Sequence, residues 1–247
     1  MAYTNSPLVS YTKLSPNHSG QRTHSIDRIT PHCVVGQCSV ETLGNVFLPT
    51  SRQASSNYGI GVDGRVGMYV EEKNHSWCSS SAANDQRAVT IECASDATEP
   101  YAFKDVVYQR LIELCTDICK RNGKTKLLWL GDKDKTLGYT PAPDEMVLTV
   151  HRWFANKSCP GDWMYARMGD LASKVTAALG SEVKPIEPTQ PTGTIKAGDL
   201  VTITGSTYYG GKAIPGWAKK LRWYVCEVSG DRAVINKDES GDRKAHV

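Results

Sequence analysis

The sequence predicts an α/β domain, with a mixed central β-sheet flanked by helices, followed by a small all-β module. Three observations predict it. Strand-like runs alternate with amphipathic helical stretches through residues 1–180, the pattern of a layered α/β unit. Residues 181–194, SEVKPIEPTQPTGT, hold Pro185, Pro188 and Pro191 and lack apolar periodicity, as a semi-rigid linker does. From residue 195 to 247 the pattern changes to short strands separated by glycine turns, VTITG, WYVCEV and RAVIN.

Within the first unit, ITPHCVVG at positions 29–36 reads as a buried strand ending at a glycine, with His32 inside it. Ser39 is a suitable N-cap for a short helix carrying Val40, Leu43, Val46 and Phe47, stopped by Pro49. NYGIGVDGRVGMYV, positions 57–70, reads as a hairpin turning at Asp63-Gly64, with Tyr58 at the start of its first strand. AVTIEC, positions 88–93, is a strand whose alternation sets Val89 and Ile91 on one face and Glu92 on the other. From Lys104 to Asn122, Val107, Leu111, Leu114, Cys115 and Ile118 form a helical stripe closed by Gly123, in which Cys115 and Cys119 read as small core hydrophobes. KLLWL, positions 126–130, is a further short strand. A proline-bearing loop leads to DEMVLTVHRWF, which reads as helical, and a last helix spans Asp162 to Leu179.

Composition excludes several classes of partner. The net charge of +3 is modest and no Lys/Arg run interleaves with aromatics, so nucleic acid is not expected as a partner. The N-terminal stretch lacks both a basic n-region with an apolar core and any long apolar run. This predicts no signal peptide, no membrane insertion and synthesis in the cytoplasm. Eight scattered cysteines in such a chain are expected to be reduced thiols.

The chemistry concentrates in VLTVHRWFANKSCPG. His151 and Cys159 are borderline-soft ligand types of the kind Zn²⁺ prefers, and Lys157 lies two residues before the cysteine. A catalytic zinc takes three protein ligands and keeps a position for water, so a third ligand is required from elsewhere; His32 is the best candidate. The plain alternative for His32 is a core histidine satisfied by a carbonyl, for Glu92 a solvated charge, and for Lys157 a surface lysine. A different enzyme class also fits the residue types, a Cys/His hydrolase with Cys33, Cys78 or Cys159 as nucleophile.

Four stretches in order, a strand with His32, NYG followed by DGR, NDQRAVTIE, and HRWFANKSCPG, resemble the zinc-dependent N-acetylmuramoyl-L-alanine amidases of the peptidoglycan-recognition type, as found in phage endolysins. The resemblance covers residues 20 to 180. It implies that His32, His151 and Cys159 ligate zinc and that Tyr58 and Lys157 sit by the scissile amide. It further implies that Glu92 is the general base of those members that carry it, and that Trp77 and Asn84 contact substrate. Other members have aspartate where this chain has Cys159. The segments VTITGSTYYGGKAIPGW and SGDRAVINK resemble bacterial SH3-like wall-binding modules, with Tyr208, Tyr209, Trp217 and Trp223 as contact candidates. That module has nine Lys/Arg against six Asp/Glu, and it ends without an apolar closing strand, as a truncated barrel would. The implied function is cleavage of bacterial peptidoglycan between N-acetylmuramic acid and L-alanine after release from a host cytoplasm. A non-catalytic peptidoglycan-binding protein of the same fold is the alternative.

Overall fold

The computed structural model describes residues 3–180 without a break, and beyond them residues 196–203, 205, 207–208, 212–216, 218–220, 222–229, 232–236 and 245–246. The chain divides into two compact units, Met1–Glu182 and Val183–Val247. The expected linker at 181–194 lies outside the described residues, as do Tyr209 and Trp217.

In chain order the first unit contains β1 (Val9–Thr12), β2 (His18–Gln21), β3 (Arg28–Cys33), α1 (Val40–Phe47), β4 (Tyr58–Ile60), β5 (Val66–Met68), β6 (Asn74–Ser76), α2 (Ala82–Asp85) and β7 (Ala88–Cys93). There follow α3 (Asp105–Arg121), β8 (Lys126–Leu128), α4 (Lys133–Gly138), β9 (Glu145–Leu148), α5 (Asp162–Tyr165) and α6 (Met168–Gly180). Seven strands make one mixed sheet in the order β1-β5-β4-β7-β3-β9-β8, parallel except for the β4–β5 hairpin. β2 and β6 form a separate antiparallel pair.

β3 and β7 occupy the middle of the sheet, so both of their faces are covered and their residues read as near-continuous buried runs. Glu92, expected as a possible solvated charge, is therefore drawn in beside His32, which it pairs in register. On one face α3 and α6 pack on the sheet, and Val107, Leu111, Leu114, Ile118, Leu171 and Val175 are all fully buried there. On the other, α1 lies close over β4 and β5. A Cβ at Gly59 would stand 2.7 Å from Leu43 Cδ1, so only glycine permits that approach. Ser39 caps α1 by accepting from the Thr42 amide, and Gly64 takes the positive φ of the hairpin turn at +79°.

One element departs from its sequence pattern. DEMVLTVHRWF is not a helix: Glu145–Leu148 is β9, inserted parallel between β3 and β8, and only His151–Trp153 makes a 3₁₀ turn. A short apolar run fits either period, and here sheet pairing on both sides decides it. The last helical stretch is broken into α5 and α6.

The second unit holds an antiparallel sheet of β10 (Leu200–Thr202), β11 (Arg222–Ser229), β12 (Arg232–Asn236) and β13 (Ala245–His246). The two-residue β13 pairs β12 at the edge of this sheet. Ile214, Ala218, Trp223, Val225 and Ile235 are its core, with Tyr208 packed half-buried against them. Trp223 is a core residue rather than a contact residue: its indole N–H donates to the Ala218 carbonyl at 2.9 Å.

Candidate metal centre and cleft

Two adjoining hollows of about 520 Å³ each open on the α1 side of the sheet, and Glu92, His151 and Lys157 border both. β3 brings His32 to the floor and the 3₁₀ turn after β9 brings His151. Cys159 arrives from the loop that follows, whose Ile-free, glycine- and proline-bearing sequence leaves the sheet at once. One ligand atom from each of His32, His151 and Cys159 lies within 4.8 Å of the other two. Cys159 Sγ is 3.3 Å from His32 Nδ1, and the two imidazole rings are 5.1 Å apart.

The protonation states suit a ligand set. Burial first, and then the neighbouring His151, hold His32 well below the ordinary imidazole value; burial and Lys157 lower His151. Both rings are thus neutral and free to ligate. Cys33 beside it, together with burial, pushes the Cys159 thiol up, so the metal-free site keeps that proton. Nε2 of His151 is taken by Ser80 Oγ at 2.9 Å, which leaves Nδ1 for the group and fixes the ring as outer hydrogen bonds to metal ligands do. The two His and one Cys match the donor chemistry of zinc.

Glu92 faces the same space. One ligand atom each from Glu92, Cys78 and His32 also lie within 4.8 Å of one another. Oε1 accepts from the Cys78 thiol at 3.8 Å, while Oε2 is shielded and has no hydrogen-bond partner. Burial pushes its carboxyl up to about 7. A group poised there can both take and give a proton near neutrality. Lys157 is exposed on the rim and, among the described residues, no acid pairs with it. Trp77 lines the same cleft, its indole held by Ser19 Oγ.

Two expected site residues are elsewhere. Tyr58 pairs Ile91, while Gly59 pairs Glu92, so the period of two turns Tyr58 to the opposite face of the sheet. There it is fully buried, donates to Glu72 Oε1 at 2.6 Å and accepts from the Ser6 amide at 2.8 Å. Asn84 is 1% exposed with its amide committed to Thr30, Thr149 and Arg28, and it borders a different recess. Conversely, Cys78 and Ser80 were not marked by the sequence as partners of Glu92 and His151. They lie in SWCSSS, a loop with no periodicity to signal a role.

A family profile described as N-acetylmuramoyl-L-alanine amidase matches residues 17–162. No curated protein matches the chain. Among solved structures, a selenomethionine derivative of AmpD is 16% identical with a TM-score of 0.48, covering 70% of this chain and 99% of that one. PlyL is 13% identical with a TM-score of 0.47, covering 67% and 95%. The endolysin N-acetylmuramoyl-L-alanine amidase LysCS from Clostridium intestinale URNW is 15% identical with a TM-score of 0.43, covering 70% and 97%. The profile takes in the strands of His32 and Glu92 and the turn that delivers His151 and Cys159, and over that match, more than half of its length, the chain belongs to the N-acetylmuramoyl-L-alanine amidase family.

Proposed function

We propose that the protein hydrolyses bacterial peptidoglycan at the amide between the lactyl carbonyl of N-acetylmuramic acid and L-alanine, with Zn²⁺ held by His32, His151 and Cys159. The observation that carries the reading is the convergence of those three ligand atoms within 4.8 Å beside a carboxylate oxygen that has no other partner. Bound there, zinc would supply Lewis acidity, lowering the pKa of water and polarising a carbonyl. Glu92 takes the proton of the attacking water on Oε2 while Cys78 steadies Oε1, then returns it to the leaving nitrogen. The Lys157 ammonium reaches over the rim as the cation for the developing oxyanion. Trp77 forms a wall of the substrate cleft. Tyr58 has no part in these steps.

The second unit, basic in composition, is an SH3-like module that holds the enzyme on the wall and raises its effective concentration at the substrate. Tyr208 and Trp217 are its contact candidates. A lytic role after release from a host cytoplasm follows from the resemblance to phage endolysins, and among the described residues no helix is long and apolar enough to cross a membrane.

The 3.3 Å approach of Cys159 Sγ to His32 Nδ1 also suits a Cys/His nucleophile pair. That reading needs a thiolate, whereas Cys33 and burial push the Cys159 thiol up. Digested wall analysed by mass spectrometry, with and without a chelator, tests both. Free N-terminal alanine and intact glycan, lost on metal removal, support the amidase; cuts between stem amino acids that survive the chelator support the thiol enzyme.

A further inference from the structure

A second recess of about 560 Å³ lies on the far side of Ser80 from the cleft. Arg28, Lys133, Leu137, Trp153 and Phe154 line it, together with Ser80 itself, whose hydroxyl touches His151. The recess is therefore one residue away from a metal ligand. Arg28 and His32 share a face of β3, four residues apart, so the strand aims both side chains to the same side of the sheet.

Arg28 is 5% exposed, yet among the described residues its guanidinium meets a single acceptor, Asn84 Oδ1 at 3.3 Å. That oxygen already accepts from the Thr149 hydroxyl at 3.1 Å. Asp27, the acid whose charge acts on Arg28, is occupied: Arg87 holds it through both oxygens, at 2.9 and 2.5 Å. No residue lining the recess is a carboxylate, and Lys133 adds another cation. Burial and the Arg87 charge both work against the Arg28 guanidinium. None of its nitrogens is among the buried side-chain atoms without a partner, so the donors that Asn84 does not meet stay open to solvent, where an anion in the recess can reach them. The planar fork of arginine fits a carboxylate through two parallel hydrogen bonds. Trp153, Phe154 and Leu137 offer apolar walls for the carbon chain that carries such a group.

Resting on the amidase reading, we infer that this recess is a subsite for a carboxylate of the peptide stem, bound by Arg28 with Lys133 as a second cation. Every stem has at least its C-terminal carboxylate, and the recess adjoins the cleft where the first stem amide would be cut. The enzyme then selects stems by charge as well as cutting them.

The test uses the full chain loaded with zinc. Muropeptides with free stem carboxylates are compared with the same compounds amidated, and the released stem peptides, free and amidated, are titrated separately by calorimetry. The free acids should show a KM and a Kd lower by about ten- to a hundredfold, the range for one charge-assisted hydrogen-bonded pair. Arg28→Gln keeps a donor for Asn84 and removes the charge, and it should bring the acid-to-amide ratio to about one; Lys133→Ala should lower that ratio in a fold that is intact even if R28Q is not. A merely structural arginine would change both substrates alike and leave the ratio where it was. Equal KM and Kd for acid and amide in the wild type would overturn the subsite while leaving the amidase reading intact. Acid-selective binding of stem peptide without any cleavage of muropeptides would uphold the subsite and overturn the amidase.

Discussion

Cys159 Sγ stands 3.3 Å from His32 Nδ1, although 127 positions separate them in the chain. The contact joins β3, in the middle of the sheet, to the loop that follows β9, and it brings together the softest and the most buried members of the proposed ligand set. Cys159→Ser should lose metal and activity together, because a serine hydroxyl is a poor zinc ligand. Elemental analysis of the purified variant checks it; stoichiometric zinc in an inactive C159S protein would count against Cys159 as a ligand. Since the thiol must give up a raised-pKa proton to bind, zinc affinity should also fall as pH is lowered.

Glu92→Gln keeps the size of the side chain and removes the base. Zinc should remain bound while kcat falls by roughly 10²- to 10⁴-fold. Full activity in E92Q would move the proton transfer to another group.

The same substitution has a signature in stability. Burial raises the Glu92 carboxyl from 4.5 to about 7 in the folded protein, so its contribution is fully present below pH 4.5 and is lost as pH rises through 7. The shift corresponds to roughly 3 kcal/mol at most. His32 and His151 work in the other direction: burial depresses them, so stability is gained as pH rises toward the unfolded histidine value. Chemical denaturation of metal-free wild type and E92Q between pH 4 and 8 separates the two, because the difference between the proteins isolates Glu92. E92Q should gain on the wild type as pH increases; parallel curves would show that the carboxyl is not buried.

Tyr58→Phe removes a hydroxyl that joins Glu72 and the Ser6 amide on the α3 side of the sheet. The amide of Ser6 is left without its acceptor, and unfolding free energy should drop by about 1–3 kcal/mol. The turnover of the folded, zinc-loaded variant should match the wild type. A loss of kcat larger than tenfold with unchanged stability would return the tyrosine to the reaction.

Removal of residues 183–247 should weaken binding to whole walls and leave hydrolysis of small soluble muropeptides as it was, if the second unit serves as an anchor. Sedimentation with purified walls, alongside muropeptide turnover, reads the two effects separately.

The layered α/β class, the Ser39 cap, the Asp63-Gly64 turn and the α3 stripe are legible in the order of the amino acids, because each rests on residues near one another in the chain. The candidate ligands His32, His151 and Cys159 are legible there as well, in ordered stretches that carry a family resemblance. Which side chains meet depends on packing between distant parts of the chain. The strand register turns Tyr58 away from the cleft that Glu92 faces, and one residue of slip in β4 alone would bring Tyr58 to the Glu92 side. Pairing with β3 and β8 made a strand of Glu145–Leu148, where an apolar run alone fits either period. Cys78 and Ser80 reach Glu92 and His151 from an aperiodic loop, and Arg28 stays short of partners because Asp27 turns to Arg87 instead. Such relationships arise from contacts across 14 to 127 positions, and local pattern holds no record of them.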